Sequence, residues 1–250
     1  MTRLLIRALT LVGICSAFQL FSESVDSFEN KDDQFKAESS FMPEHFTEHS
    51  RDLNVKFNAA YENNVWANSE SRSGDGSTLA YTESFRKDFA AMIANLGCKS
   101  IVDAPCGDYN WMKETDLNGV TYIGGDIADV MIGDLQAKYP SVDFRVMDIT
   151  TCVLPCVDIW LCRDVLFHLS NADVQKVIDN FKRSNIKYFA TSHFYYDHVN
   201  YDIESKPLVY RQVNLTKPPF NLPQPDYLIK DSIPGFPERW LGIWDRDNLL

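Results

Sequence analysis

The chain lacks a basic face. Its 24 Lys and Arg are outnumbered by 35 Asp and Glu, a net charge of −11, and no Lys/Arg cluster of the kind that meets a phosphate backbone stands against that excess. A nucleic-acid partner is therefore disfavoured. A stable membrane span is not expected either, because the most apolar stretch, residues 8 to 21, is broken by Thr10, Ser16 and Gln19 and falls short of the ~20 residues required. No internal repeat or low-complexity tract is present. Cysteine is sparse and odd in number once Cys15 is set aside with the first segment, leaving Cys98, Cys106, Cys152, Cys156 and Cys162. An odd count argues against a fully paired disulfide framework. Cys152 and Cys156 flank Val153-Leu154-Pro155 and are able to pair in an oxidising compartment only if the short loop allows the geometry. His45 and His49 share a helix face, but no third ligand stands nearby, so a polar linker is the better reading than a metal site.

The first segment carries Arg3 and Arg7, then the apolar stretch from Ala8 to Phe21 with Cys15-Ser16-Ala17 as a cleavage region. That pattern reads as a secretory signal over residues 1–21, with a mitochondrial presequence or an uncleaved anchor as alternatives. Residues 22–56 are charged and aperiodic, which reads as a polar linker or stem. Residues 57–250 then form one domain, long enough to bury a sizeable core.

The most informative stretch is Ile101-Val102-Asp103-Ala104-Pro105-Cys106-Gly107-Asp108, followed by Tyr122-Ile123-Gly124-Gly125-Asp126. An apolar run ending in a tight turn, then a second ending in an acid, is how a doubly wound sheet holds a ribose-bearing ligand. Gly107 and Asp126 lie 19 positions apart, close to the ~20 expected between turn and ribose acid. The turn has a single glycine, with Asp108 behind it; a dinucleotide needs more glycine for its pyrophosphate. A carboxylate there repels phosphate and suits a sulfonium or ammonium group, which favours S-adenosylmethionine over NAD. The plainer alternative is that Asp103 and Asp126 are turn formers.

A third run, Val142 to Met147, ends in Asp148-Ile149, and a fourth, Val157 to Cys162, leads into Arg163-Asp164-Val165-Leu166-Phe167-His168. With these the chain resembles the class I S-adenosylmethionine-dependent methyltransferases. More narrowly, Trp66, Glu70-Ser71, Ser73-Gly74, Gly76-Ser77, the Asp103–Asp108 run and Asn110-Trp111-Met112 are similar to a group of small methyltransferase-domain proteins, over about residues 60 to 248. The resemblance implies a three-layer α/β (Rossmann-like) sandwich with a mostly parallel seven-stranded sheet and a C-terminal antiparallel hairpin. It implies cofactor contacts from Asp103, Cys106, Gly107, Asp108, Asp126 and Ile127, an adenine-side contact from Asp148 or Ile149, and residues beneath the methyl at Cys162 and Arg163. It leaves the methyl acceptor open.

His168 is the candidate general base, because an unperturbed imidazole titrates near neutrality; the alternative is that it anchors the next helix. Asp164 and Arg163 are candidates to orient acceptor or cofactor, with His193 and His198 behind them. The block Trp66 to Ser77, with Ser71, Gly74 and Ser77, reads as a latch over the cofactor or as a flexible helix cap. Helices are expected over Thr78 to Asn95, ended by Gly97, over Asp129 to Tyr139 and over Asn171 to Arg183. Strands are expected over Cys98 to Ala104, Tyr188 to Phe194 and Arg239 to Trp244. Tyr195 to Pro225 is irregular and aromatic, with Tyr195, Tyr196, Tyr201, Tyr210 and Phe220 either lining an acceptor pocket or covering the sheet edge. Asn214-Leu215-Thr216 is a glycosylation triplet if the domain is secreted. Three function classes remain: a methyltransferase for a small molecule, glycan or protein side chain; a non-catalytic binding protein of the same fold; and, made unlikely by the missing glycines, an NAD-dependent oxidoreductase.

Overall fold

The computed structural model describes residues 46–196, 199–203 and 208–249. The chain divides into residues 1–41 and 42–250. The expected targeting segment 1–21, most of the expected linker, His45 and His198 lie outside the described residues.

Each element follows from a local signal. Helix α2 (Leu79–Asn95) is preceded by Thr78, whose hydroxyl accepts from the Tyr81 amide and so satisfies one of the free donors of the first turn. Its Phe85, Phe89 and Ile93 recur at helical spacing and are buried, each contributing roughly 1.5–3 kcal/mol by burial. Gly97, at φ +70°, ends the run. Helix α3 (Asp129–Lys138) buries Met131, Ile132 and Leu135. Helix α4 (Asn171–Arg183) begins at a Ser170 cap and turns Val174, Val177, Ile178 and Phe181 inward.

Among the described residues the strands are β1 (Ser100–Asp103), β2 (Thr121–Asp126), β3 (Asp143–Val146), β4 (Ile159–Cys162), β5 (Tyr188–His193), β6 (Tyr227–Lys230) and β7 (Trp240–Asp245). They form one sheet in the order β3-β2-β1-β4-β5-β7-β6. The first five strands run parallel, and β7 is antiparallel to both β5 and β6. Side chains alternate between two cores. Ile101, Ile159, Leu161, Ala190 and Ile243 meet α2 on one face, while Val102, Trp160, Cys162, Phe189 and Trp244 meet α4 on the other. The order reverses at β1, whose neighbours are β2 on one side and β4 on the other. That switch point opens a crevice at the carboxyl ends of the strands, where such sheets bind ligands.

Three expectations change. Residues 48–56, read as linker, belong to helix α1 (Glu48–Glu62). It buries Ser50 and Asn54 beside Leu53 and Ala60, with Phe57 and Tyr61 packed against the core, a short apolar stripe interrupted by polar residues. Strand β6 is the hairpin partner that the expected seven-stranded sheet requires, but its range was not placed, because Tyr227 and Leu228 remain exposed on the sheet edge and prolines precede them. Asn214 is buried, its amide donating to the Tyr196 carbonyl at 2.9 Å and its Oδ1 accepting from the Thr216 amide and hydroxyl. A glycan has no access to that nitrogen in the folded chain. Cys152 and Cys156 are free thiols, one buried and one exposed. No helix among the described residues is long and apolar enough to cross a membrane.

Candidate functional site

The turn after β1 is built around Gly107. Its φ is +54°, and a Cβ there would stand 2.5 Å from the Ser73 hydroxyl oxygen, so both conformation and space require glycine. The Gly107 amide donates to Asp126 Oδ2 at 3.2 Å, and the Ala128 amide donates to Oδ1 at 3.0 Å. The two most informative motifs of the sequence therefore meet directly. Both Asp126 oxygens are held by backbone amides, and a carboxylate has about four acceptor sites, so acceptor capacity remains for a ligand. Burial lifts the Asp126 carboxyl to about 6, against the pull of the Ala128, Gly107 and Ile127 amides, which leaves it ionised at neutral pH. Asp103 lies deeper, accepting from the Tyr122 hydroxyl at 2.9 Å. Burial pushes it up to about 8.

The block before α2 docks onto this turn. Asp108 accepts from the Ser71 hydroxyl and from the amides of Arg72 and Asn110, while its own amide donates to Ser73 Oγ at 2.9 Å. Asn110 then bridges Glu70 and the Ser77 carbonyl, and Glu70 accepts from the Leu79 amide at the start of α2. Gly74, at φ +89°, lets the chain pass Trp66 at close range. On the outer side of this seam lies a polar cavity of about 390 Å³, lined by Tyr61, Arg72, Asp108, Lys113, Asp134 and Lys138 among others. It touches neither Asp126 nor Asp148, which are buried at the strand ends.

Helix α1 covers those acids. Ser50 donates to Asp148 Oδ2 at 2.6 Å, and Asn54 donates to the Ile127 carbonyl and to Asp129, each at 2.7 Å. His49 meets Asp173 of α4 at 2.9 Å. Asp148 also accepts from Thr150 by amide and hydroxyl and from the Thr151 hydroxyl.

Beyond β4 the chain lays down a buried box of four charges. Arg163 binds Asp231 through two nitrogens, at 2.9 and 2.8 Å, and Asp164 at 3.1 Å. Arg239 closes the box on Asp164 at 2.7 Å and on Asp231 at 3.1 Å. The Arg163 guanidinium lies over the rings of Phe85 and Trp111 and donates to the Gly76 carbonyl. The latch is thereby tied to the sheet at a second place. Burial pushes the Asp164 carboxyl up, but Arg163 and Arg239 outweigh it and hold the group below its ordinary range. Next to the box, His168 is ringed by Phe167, Tyr210 and Trp66, with centroids at 4.6, 6.4 and 6.2 Å. It bonds the backbone at Leu208 and Val209, while its Nδ1 is buried with no hydrogen-bond partner. Burial lowers its pKa to about 4, so the ring is neutral at physiological pH.

No family model and no curated protein matches this chain. Solved structures do share its architecture. Magnesium protoporphyrin IX methyltransferase from Synechocystis PCC 6803 superposes with a TM-score of 0.52 at 14% identity with S-adenosylmethionine bound, over 80% of this chain and 99% of that one. With S-adenosylhomocysteine bound it gives 0.55 at 12% identity, over 78% and 98%. The 1,6-didemethyltoxoflavin-N1-methyltransferase of Burkholderia thailandensis, bound to 1,6-didemethyltoxoflavin and S-adenosylhomocysteine, gives 0.52 at 14%, over 83% and 92%. The fold is that of the class I methyltransferases.

Within the class I fold, Asp103, Gly107, Asp126 and Ile127 stand at the expected strand ends, and Asp148-Ile149 follows β3. Several expected roles change. Asp108 and Ser71 are bonded to each other, and both line the polar cavity beside the latch. Asp164, expected with Arg163 to orient acceptor or cofactor, is a held anion whose oxygens are both engaged by Arg163, Arg239 and Ser192. Cys106 and Cys162 are buried core thiols, raised by burial and so protonated. Ser77 is buried with its carbonyl on Asn110. His193 is fully buried against Tyr195 and Trp244 and accepts from the Leu215 amide. Of the loop aromatics, Tyr210 reaches His168, Phe220 joins the core, and Tyr195 and Tyr201 remain exposed. Sequence reasoning missed Ser50, Asn54, Asp231 and Arg239. Their only signal was polar residues at positions that turn out to be buried.

Proposed function

We propose that the chain is an S-adenosylmethionine-dependent methyltransferase acting on a small molecule, a glycan or a protein side chain. The observation that carries this reading is the Asp126 carboxylate bonded to the Gly107 amide across β1 and β2, inside a class I fold. A ribose hydroxyl needs an ionised acceptor with free lone pairs at the end of β2, and Asp126 is one. NAD is disfavoured because the turn has the single Gly107 where a pyrophosphate needs a glycine-rich loop.

When bound, the cofactor supplies a methyl group already activated on a cationic sulfur. The chain's part is then chiefly to position and to exclude water, which by itself accounts for much of a displacement rate. The latch and α1 cover the strand ends, and the charge box fixes Gly76 above them. His168 Nδ1 takes the proton that the acceptor loses as it is methylated; being neutral above about 4, it is in the basic form throughout the physiological range. The acidic surface favours acceptors other than nucleic acid.

A second reading, a binding protein of the same fold without turnover, draws support from Asp148, whose oxygens already hold four donors. Incubating the protein with methyl-labelled S-adenosylmethionine and extracts of its source separates the two. Transfer of label to any extract component is expected; stoichiometric S-adenosylhomocysteine binding without transfer would favour the second reading.

A further inference from the structure

We infer that Ser50 of helix α1 is an affinity-determining residue of the cofactor site, because its hydroxyl occupies the place on Asp148 that the adenine amine must take. The inference rests on the reading of the strand ends as a cofactor site.

Asp126 ends β2, and Asp148 follows β3, the next strand along the sheet. A nucleoside whose ribose is held by Asp126 and whose tail runs toward β1 lays its base over the end of β3, beside Asp148. A carboxylate there recognises a donor, and adenine offers one in its exocyclic amine. A carboxylate accepts about four hydrogen bonds. Asp148 has four already: the Thr150 amide at 2.8 Å, the Thr150 hydroxyl at 2.7 Å, the Thr151 hydroxyl at 3.1 Å and the Ser50 hydroxyl at 2.6 Å. The first three come from the loop that Asp148 itself begins. Only Ser50 comes from another element, so it alone can withdraw without unfolding that loop. Asp148 is also 1% exposed, and Ser50 and Asn54 are fully buried above the strand ends. A base therefore reaches the acid only if α1 moves, and the movement breaks polar bonds that the ligand and water replace.

The sign of this competition separates it from a purely structural role. Removing the Ser50 hydroxyl leaves one Asp148 lone pair open, so the ligand no longer displaces a charge-assisted bond when it binds. Ser50→Ala is expected to bind S-adenosylhomocysteine about tenfold more tightly than wild type, the factor corresponding to the lower end of such a bond. Ser50→Thr, which retains the hydroxyl, is expected to bind as wild type does. S-inosylhomocysteine carries an acceptor oxygen where adenosine carries the amine, so it has no donor at the position assigned to Asp148; its N1–H lies one ring position away. Its affinity is expected to be the same in wild type and Ser50→Ala.

Calorimetry on the full chain with both ligands, alongside circular dichroism to verify folding, gives the test. Tighter binding of S-adenosylhomocysteine alone supports the inference. Unchanged or weaker binding in folded Ser50→Ala overturns it, as does an equal gain for both ligands, which would mean that α1 is merely loosened. If wild type binds neither ligand, the cofactor reading beneath the inference fails instead, and the two failures are told apart by the wild-type titration.

Discussion

Ser71 and Asp108, 37 positions apart, are joined by one hydroxyl set 3.0 Å from each oxygen of one carboxylate. The contact turns an acid that follows the glycine of a ligand-binding turn away from the ligand and toward the segment covering it. The same carboxylate takes the Arg72 amide at 2.8 Å, so one side chain makes two of the ties that hold the latch on the turn.

Asp108→Ala removes these bonds together. Hydrogen bonds to a charged group are worth ~1.5–3 kcal/mol each, and the variant is expected to melt at a lower temperature and to expose the Trp66–Ser77 block to protease before the rest of the domain opens. An unchanged melt and digestion pattern would show that the latch is held elsewhere.

Arg163 is the keystone of the charge box, with Asp231 and Asp164 as partners and the Gly76 carbonyl as its tie to the latch. Breaking a buried pair from one side costs about 3–5 kcal/mol, because it strands the remaining charges. Arg163→Ala is expected to lose that much stability in urea denaturation. Arg163→Lys recovers little of it, since one ammonium does not reproduce the two-nitrogen grip on Asp231.

The two strand-end acids give a pH dependence of unusual sign. Burial raises Asp103 from 3.8 to about 8 in the folded chain, so the native state keeps a proton that the unfolded chain has released. The associated stability is present in full below 3.8 and is lost as pH rises through about 8. Asp103→Asn keeps the acceptor for Tyr122 and removes the titration. Its stability relative to wild type is expected to rise between pH 5 and pH 8, measured by urea midpoints; parallel curves for the two proteins would refute the assignment.

His168→Gln tests the proton acceptor. Loss of a general base lowers turnover by ~10²–10⁴-fold, with cofactor affinity unchanged. Wild-type turnover is expected to fall as pH drops through about 4, where the imidazole gains its proton, and the variant to lack that limb. Lower thermal stability with normal turnover per folded molecule would make His168 an anchor of α4 instead.

The parallel sheet was legible because its strands end in acids and turns, and α2 and α4 because a cap precedes each apolar stripe, at Thr78 and Ser170. The pairing of Gly107 with Asp126 was legible from spacing alone. What escaped notice shares a physical cause. Helix α1 docks through Ser50 and Asn54 as well as Leu53, Phe57 and Ala60, and the charged residues between them mask the short apolar period. The charge box joins Arg163 to Asp231 across 68 positions, a relation that only the crossing of β4, β6 and β7 creates. Asp108 and Asp164 carried the right chemistry for a ligand, but tertiary partners took both.

The central claim is that Asp126 holds the ribose of S-adenosylmethionine, and titrating S-adenosylhomocysteine into wild type and Asp126→Ala by calorimetry tests it most directly. Wild type is expected to bind one equivalent, and the variant, folded by circular dichroism, to bind at least tenfold more weakly, matching the loss of a charge-assisted bond of ~1.5–3 kcal/mol. Equal affinity in the two proteins, or no binding by wild type, would contradict the account.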